Sequence, residues 1–325
     1  MAKDTAKIMI TGASGQIGSE LTARLRGMHG PANVLATDIV KPEGDLAESG
    51  PFETLDVTDG AAVARIIKAH AIDTVYHLAA ILSAKGEKNP SLAWHVNMNG
   101  LYAVLEAARQ NGVVRIFSPS SIAVFGPATP RERTPQDTVL DPRTMYGVTK
   151  VAGELLADYY VRKYGLDVRG CRFPGIISHQ TLPGGGTTDY AVAIYFEAVK
   201  NGRFTCFLGA DTRLPMMYMP DCLKSILNLM AADFGRLEHH ANFNVTAMSF
   251  TAAELAAEIR KHIPSFAVDY KPDFRQAIAD SWPASLDDSA ARAEWGWRPD
   301  YNLARMTADM LTALAKRRDE GRLNY

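Results

Sequence analysis

The chain is poor in cysteine. Cys171, Cys206 and Cys222 are the only thiols in 325 residues. Their odd number and wide spacing exclude a CxxC pair and a disulfide framework, and fit small buried hydrophobes in a reducing compartment. Excess charge of one sign is also lacking: Lys plus Arg total 35 and Asp plus Glu 36, a formal net charge of −1. No overall field draws the chain to nucleic acid or to an anionic membrane surface. No apolar run reaches the roughly 18 residues of a membrane span, and the first residues carry no signal-peptide apolar core, so a cytoplasmic location is expected. The eight histidines are scattered, and the His239–His240 pair has no HExxH spacing, so no metal site is expected. Repeats and low-complexity tracts are missing too. At 47% hydrophobic and 22% charged residues, the chain can bury a core, which excludes disorder. A small-molecule ligand is the expected partner.

What is present is a regular alternation. Short β-rich runs at 7–11, 33–38, 53–57, 74–80, 115–121 and 168–173 are separated by helical patterns at 15–27, 60–70, 91–111 and 146–164. Strand and helix in turn predict βαβ units and a parallel sheet, because a parallel crossover needs a covering helix. The expected fold class is α/β: a Rossmann-type doubly wound parallel sheet with a smaller, partly discontinuous C-terminal domain. After Pro174 the texture changes. The turn Leu182-Pro183-Gly184-Gly185-Gly186 precedes a helical run over 188–200. Late strands are expected at 214–219 and 243–246, and the last eighty or so residues read as helices around one strand at 266–270. The division that follows is a dinucleotide domain over 1–174, with returning segments near 214–246, and a smaller substrate domain from 175–213 and 247–325.

Thr11-Gly12-Ala13-Ser14-Gly15-Gln16-Ile17-Gly18 follows the first strand and opens the first helix. Gly12 permits a tight turn, Gly15 lets the main chain approach a pyrophosphate, and Gly18 lets helix and strand pack closely. The N–H groups of the helix opening, including Gln16 and Ile17, then face phosphate. Asp38 ends the second strand, 20 residues beyond Gly18, where a carboxylate would bond the ribose hydroxyls and repel a 2′-phosphate. NAD is the expected cofactor.

The spacing of these glycines resembles the TGxxGxxG of the short-chain dehydrogenases/reductases, and the chain length resembles their extended branch. Further matches follow in order. Asp56-Val57 resembles the pair that contacts adenine, Leu78-Ala79-Ala80 the segment lining the cofactor, and Asn97-x-x-Gly100 the asparagine of the fourth helix. Asp288 to Pro299, with Trp295-Gly296-Trp297-Arg298-Pro299, resembles the C-terminal signature. The resemblance covers essentially the whole chain.

Tyr146-Gly147-Val148-Thr149-Lys150 carries the candidate chemistry. Positions i and i+4 share a helix face, so Tyr146 and Lys150 point the same way. A free phenol titrates near ~10, too high for a base at neutral pH. A neighbouring ammonium should favour the phenolate and lower that value. Ser120-Ser121-Ile122-Ala123-Val124-Phe125-Gly126 resembles the family's SSxxVYG stretch, with Phe125 in place of the usual Tyr. By that resemblance Ser121 orients the substrate hydroxyl, Tyr146 is the general base, Lys150 also bonds the nicotinamide ribose, and Pro174 lies near the carboxamide. Ser120 is the neighbour that competes with Ser121.

Extended members of the family often act on nucleotide sugars. Those enzymes carry an arginine seven residues before the late-strand aspartate; counting back from Asp221 gives Leu214, and Arg213 is one residue off, on the opposite strand face. The glycines of 184–186 could instead present N–H groups as a nest for one carboxylate, with Thr187 adding a hydroxyl and Asp189 facing an ammonium or capping its helix. The strings PGGGTTDYAV, LPMMYMPDC and Ile278-Ala279-Asp280-Ser281-Trp282-Pro283 resemble the short-chain, zinc-free type of L-threonine 3-dehydrogenase. That resemblance implies L-threonine as substrate and NAD as oxidant, with Ser83, Ser121, Tyr146, Gly186, Thr187 and Trp282 around the amino acid. It further implies a homodimer through helices 91–111 and 146–164, and a functional link to a CoA-dependent 2-amino-3-oxobutyrate lyase. A nucleotide-sugar epimerase or dehydratase and a non-catalytic NAD sensor remain the alternatives at this point.

Overall fold

Parallel pairing follows from the strand–helix alternation. The computed structural model describes residues 6–42, 44–181 and 184–323. Its strands are β1 (Ile8–Thr11), β2 (Val34–Asp38), β3 (Phe52–Thr54), β4 (Thr74–His77), β5 (Arg115–Phe117), β6 (Ser120–Ser121), β7 (Asp167–Arg169), β8 (Cys171–Phe173), β9 (Gly175–Ile177), β10 (Arg203–Cys206), β11 (Arg213–Tyr218), β12 (Phe243–Asn244), β13 (Met248–Thr251) and β14 (Ala267–Tyr270). Six of them form one parallel sheet in the order β3-β2-β1-β4-β5-β7. The order reverses between β1 and β4, and such a switch point opens a ligand crevice at the carboxyl ends of the strands. β1 is buried along its whole length. One face is covered by Leu21 and Leu25 of the Gln16–His29 helix with Ile226 and Leu229 of the Met219–Ala231 helix, the other by Val63, Ile66, Val104 and Leu105. This is the doubly wound Rossmann arrangement.

Two of the expected strands break. The run at 115–121 divides into β5 and β6 at Ser118–Pro119, and the run at 168–173 divides into β7 and β8 at Gly170. Proline brings no N–H to a ladder, and the Gly170 N–H leaves the strand for the His240 carbonyl. A Cβ on Gly170 would lie 2.2 Å from the Ser118 carbonyl oxygen, so the two breaks nest against each other. Beyond them the sheet resumes as β12-β8-β6, all parallel. The strand expected at 53–57 ends at Thr54 and that at 74–80 ends at His77, which leaves Asp56, Val57 and Leu78–Ala80 in the loops that face the crevice.

The C-terminal part holds smaller sheets, β13-β11-β9 and β10-β14, around the Tyr190–Asn201 helix. Tyr195 and Phe196 of that helix pack with Leu255, Met306 and Met310 in a separate apolar cluster. β9, β10 and β13 are three- and four-residue strands that the sequence patterning did not mark. The expected 91–111 helix runs over Pro90–Gln110 but contains a π turn at His95–Asn99. Among the described residues no helix is long and apolar enough to cross a membrane, and no group of three or more His, Cys, Asp or Glu could hold a metal ion.

Candidate active site

The glycine turn after β1 is fixed by main-chain contacts. Gly12 has φ +70°, and a Cβ there would lie 2.6 Å from the Ala79 nitrogen at the end of β4. A Cβ on Gly18 would lie 2.1 Å from the Gly12 carbonyl oxygen. Only hydrogen fits at either place, so the first turn of the Gln16–His29 helix lies directly against the Gly12 turn, and that turn against the loop after β4. That helix has no side-chain cap and no acidic residue in its first turn. Its open N–H groups and positive dipole end therefore suit an anion. Gln16 adds a buried Nε2 without a partner among the described residues. These features fit a dinucleotide pyrophosphate.

Asp38 stands beside the same turn. Its Oδ2 accepts the Ser14 N–H at 2.9 Å and its Oδ1 the Val40 N–H at 3.1 Å. Asp56 is exposed; its Oδ1 accepts both the N–H and the hydroxyl of Thr58, and these bonds hold its carboxyl below the ordinary range. Val57 is buried against Gly100. Asn97 is buried and fully used: its Oδ1 accepts the Ile81 N–H at 2.8 Å, and its Nδ2 donates to the Ile81 carbonyl and to Thr149 Oγ1, each at 3.1 Å. The structure thus places Asn97 behind the crevice, tying the loop after β4 to the Met145–Tyr164 helix.

A cleft of about 1060 Å³ joins Gly12, Gly15, Gln16, Ile17, Gly18, Leu78 and Ala80 on one side to Ser83, Gly186, Thr187, Asp189 and Trp282 on the other. Ser121, Tyr146, Lys150 and Pro174 line it between them. Ala79 and Asn97 line a smaller cavity behind Lys150 instead. The Met145–Tyr164 helix presents Tyr146 and Lys150. It begins at a Thr144 cap, whose Oγ1 accepts the Gly147 N–H at 3.0 Å. Gly147 carries a signal that the sequence reading passed over: a Cβ there would lie 2.2 Å from the Ala123 carbonyl oxygen. Glycine at this position lets the helix approach the Ile122–Val124 turn, so that Tyr146 and Ser121 line the same cleft. Ser120 is settled the other way. It also borders the cleft, but its Oγ is committed elsewhere, donating to Glu154 Oε1 at 2.5 Å.

Lys150 Nζ donates to the Pro119 carbonyl at 2.6 Å and sits 5.5 Å from the centroid of the Tyr146 ring. Burial pushes the lysine down to about 8, opposed by the nearby Glu154 charge. Burial also pushes the Tyr146 phenol up to about 12, opposed by its bond to Ser121. Burial thus works against the expected lowering of this phenol, and the Lys150 ammonium is directed at Pro119.

On the far wall Ser83 opens the short Ser83–Lys88 helix, and its Oγ lies 3.1 Å from Thr187 Oγ1 and accepts the Thr187 N–H at 3.3 Å. Trp282 is 4% exposed and belongs to the C-terminal apolar cluster as well as to the cleft. Leu182 and Pro183 of the expected glycine turn lie outside the described residues. The rest of the turn departs from the expected open nest: Asp189 Oδ2 accepts the N–H groups of Gly185 and Gly186, both at 2.8 Å. An internal carboxylate four residues on fills the nest without losing translational freedom. Asp189 holds the N-cap position of the Tyr190–Asn201 helix but makes no forward cap bond. Burial raises its carboxyl, against the two N–H bonds and the nearby charges of Arg275 and Lys85.

Residues 8–245 match the model of the NAD dependent epimerase/dehydratase family. The chain belongs to that family. An uncharacterized epimerase/dehydratase of Staphylococcus haemolyticus is 53% identical over 313 residues, which cover 96% of this chain and 98% of that relative. Among solved structures, the L-threonine dehydrogenase of Clostridium difficile is 52% identical with a TM-score of 0.94, covering 98% of this chain and 99% of that one. The holo form of the GalE-like L-threonine dehydrogenase of Cupriavidus necator is 51% identical with a TM-score of 0.92, covering 95% and 99%. Within this family chain, Arg213 is directed away from the cleft: it donates to the Ser249 carbonyl and to Glu254. Asp221 is buried and accepts the N–H groups of Asp300 and Tyr301, so it anchors the C-terminal segment.

Proposed function

We propose that this family member is an NAD-dependent L-threonine 3-dehydrogenase that oxidises the 3-hydroxyl of L-threonine to L-2-amino-3-oxobutyrate without a metal. The observation that carries the reading is the convergence, in one cleft, of the Ser121–Tyr146–Lys150 group with the Ser83–Thr187 hydroxyl pair. The 52% identity to a solved L-threonine dehydrogenase over nearly the whole chain supports the substrate.

NAD, when bound, supplies the hydride acceptor. The glycine turn, Asp38, Asp56-Val57 and Leu78-Ala79-Ala80 would form its site, and Pro174 would border the nicotinamide end. Ser121 Oγ orients the substrate hydroxyl. Tyr146 Oη takes the hydroxyl proton while hydride leaves C3, and the C3–O bond becomes a carbonyl. Lys150 would bond the ribose of bound NAD and favour the phenolate against the burial that raises it. Ser83, Gly186 and Thr187 contact the amino-acid end, and Trp282 covers it. The dinucleotide half comprises 1–174 with 214–246, and the substrate half 175–213 with 247–325. Exposed Leu92, Trp94 and Tyr102 on one helix and Leu155 and Tyr159 on the next support a homodimer through these helices. The unstable ketoacid gives such an enzyme a functional link to a CoA-dependent lyase, in the cytoplasm.

The test follows NADH formation from NAD and L-threonine by purified protein, with and without a chelator, beside UDP-glucose and L-serine. Threonine-dependent, chelator-resistant NADH is the expected result. Protein that binds NAD but forms no NADH with threonine sinks the substrate assignment. Turnover or tight binding of UDP-glucose favours a nucleotide-sugar enzyme instead.

A further inference from the structure

Tyr146, Lys150 and Glu154 stand at i, i+4 and i+8 on the Met145–Tyr164 helix, so they share one face. Each meets a different residue of one tripeptide. Tyr146 stands beside Ser121 in the cleft, Lys150 Nζ donates to the Pro119 carbonyl, and Glu154 Oε1 accepts the Ser120 hydroxyl. Glu154 is buried. Its two oxygens also accept Arg172 Nε at 2.9 Å and Arg172 Nη2 at 2.8 Å. Ser120 and Arg172 are cross-strand partners in β6 and β8, so both converge on one carboxylate from adjacent strands. Arg172 is held in turn by the Gln136 carbonyl at 2.8 Å.

We propose that Glu154 is a positioning residue of the hydride-transfer site: it fixes the 119–121 segment against Tyr146 and Lys150, and its charge keeps Lys150 an ammonium. This rests on the dehydrogenase reading above. The titratable and charged groups around Lys150 are few. Tyr146 and Glu154 lie on its own helix. His77 comes from β4 and is held neutral, since burial pushes it down to about 3 with a further push from Lys150. Arg172 comes from β8, behind Glu154. Glu154 is thus the carboxylate on that face, and its pull opposes the burial that brings Lys150 down to about 8.

A purely structural ion pair and a charge-setting one differ in sign. Glu154→Gln removes the anion and leaves Arg172, so Lys150 should lose its proton at lower pH. Arg172→Met leaves the anion, so Lys150 should hold its proton to higher pH. The readout is competitive acetylation of Lys150 in the NAD-free protein across pH, measured by peptide mass spectrometry, beside the alkaline limb of kcat/KM. We expect the Lys150 titration to move down by about one pH unit in Glu154→Gln and up in Arg172→Met, with the kinetic limb following. Glu154→Asp, which keeps the charge, should keep the titration and lose kcat more than KM. An unmoved titration, or movement in the same direction in both variants, overturns the proposal. If one variant does not fold, the sign of the other still decides it. The acetylation arm is independent of threonine turnover, so its failure is separable from failure of the substrate assignment.

Discussion

On the cofactor side of the cleft, Gly12 and Gly18 put main chain against main chain, and the helix that follows opens without a side-chain cap on its N–H groups. On the substrate side, Ser83 and Thr187 meet across 104 positions of sequence, and a carboxylate from Asp189 fills the one backbone nest. The first wall is made by an eight-residue string and tolerates almost no added atom. The second is assembled from segments that only the fold brings together, and its polar groups are side chains. A wall of the first kind suits a ligand shared by a whole family. A wall of the second kind can change its ligand by substitution while the first stays fixed.

Tyr146 stands where the two walls meet, and its removal should have the largest effect. Tyr146→Phe is expected to lower kcat at least ~100-fold, the scale of a positioned acid–base group. NADH binding, read by fluorescence titration, should be unchanged. Asp189→Ala breaks only the substrate wall. It frees the N–H groups of Gly185 and Gly186, so the KM for threonine should rise roughly tenfold, with a stability cost of about 1–3 kcal/mol for the unpaired donors. An unchanged KM would show that the nest acts on the loop alone. Asp38→Ala tests the cofactor wall: the preference for NAD over NADP should narrow by about tenfold, as a ratio of kcat/KM values. An unaltered ratio would restrict Asp38 to holding the Ser14 and Val40 N–H groups.

The smallest effect concerns a bridge between the walls. Glu20 on the cofactor helix accepts the Ser178 hydroxyl, from the segment that leads toward the substrate loop. Burial raises its carboxyl from the ordinary 4.5 to about 7. The folded state therefore holds this proton more tightly than the unfolded state does. The stabilising contribution is complete below about pH 4.5 and is lost as pH climbs through about 7. Glu20→Gln cannot ionise and should gain on the wild type between pH 5 and pH 8, by about 1–3 kcal/mol. Urea midpoints at the two pH values check this, and equal differences at both would contradict it.

The same contrast explains what was legible in the sequence. The glycine string, Asp38 and the Tyr146–Lys150 pair are local patterns with one geometric solution each; the glycines, Tyr146 and Lys150 line one cleft, and Asp38 bonds the Ser14 N–H of the glycine turn. The doubly wound sheet was legible because each strand is followed by its covering helix. The breaks at Pro119 and Gly170 were not, since β5–β6 and β7–β8 read as continuous β-rich runs. Only the nesting of Gly170 on the Ser118 carbonyl shows why the strands end there. The filling of the glycine nest was equally hidden, because a string of glycines does not show which carboxylate reaches it first. Ser121 was assigned by resemblance, but the pairing of Ser120 with Glu154 is a contact across 34 positions that only the fold shows. Glu154 was within reach, as a charged side chain four residues beyond Lys150 on a helix face already known to point inward.

The π turn at His95–Asn99 has a consequence of a different sort. A π turn spends one residue more than an α-helix of the same rise. Here the surplus lies between outward-facing Leu92 and Trp94 and outward-facing Tyr102, with Asn97 buried inside it. Deleting a single codon within 95–99 would remove that surplus and let the stretch settle into unbroken α-helix, its two ends keeping their relative directions. Asn97 could then no longer reach Ile81 while both outer faces kept their present directions. The loop after β4 is thus tied to the reading length of a gene segment, a dependence that no scan of substitutions would uncover.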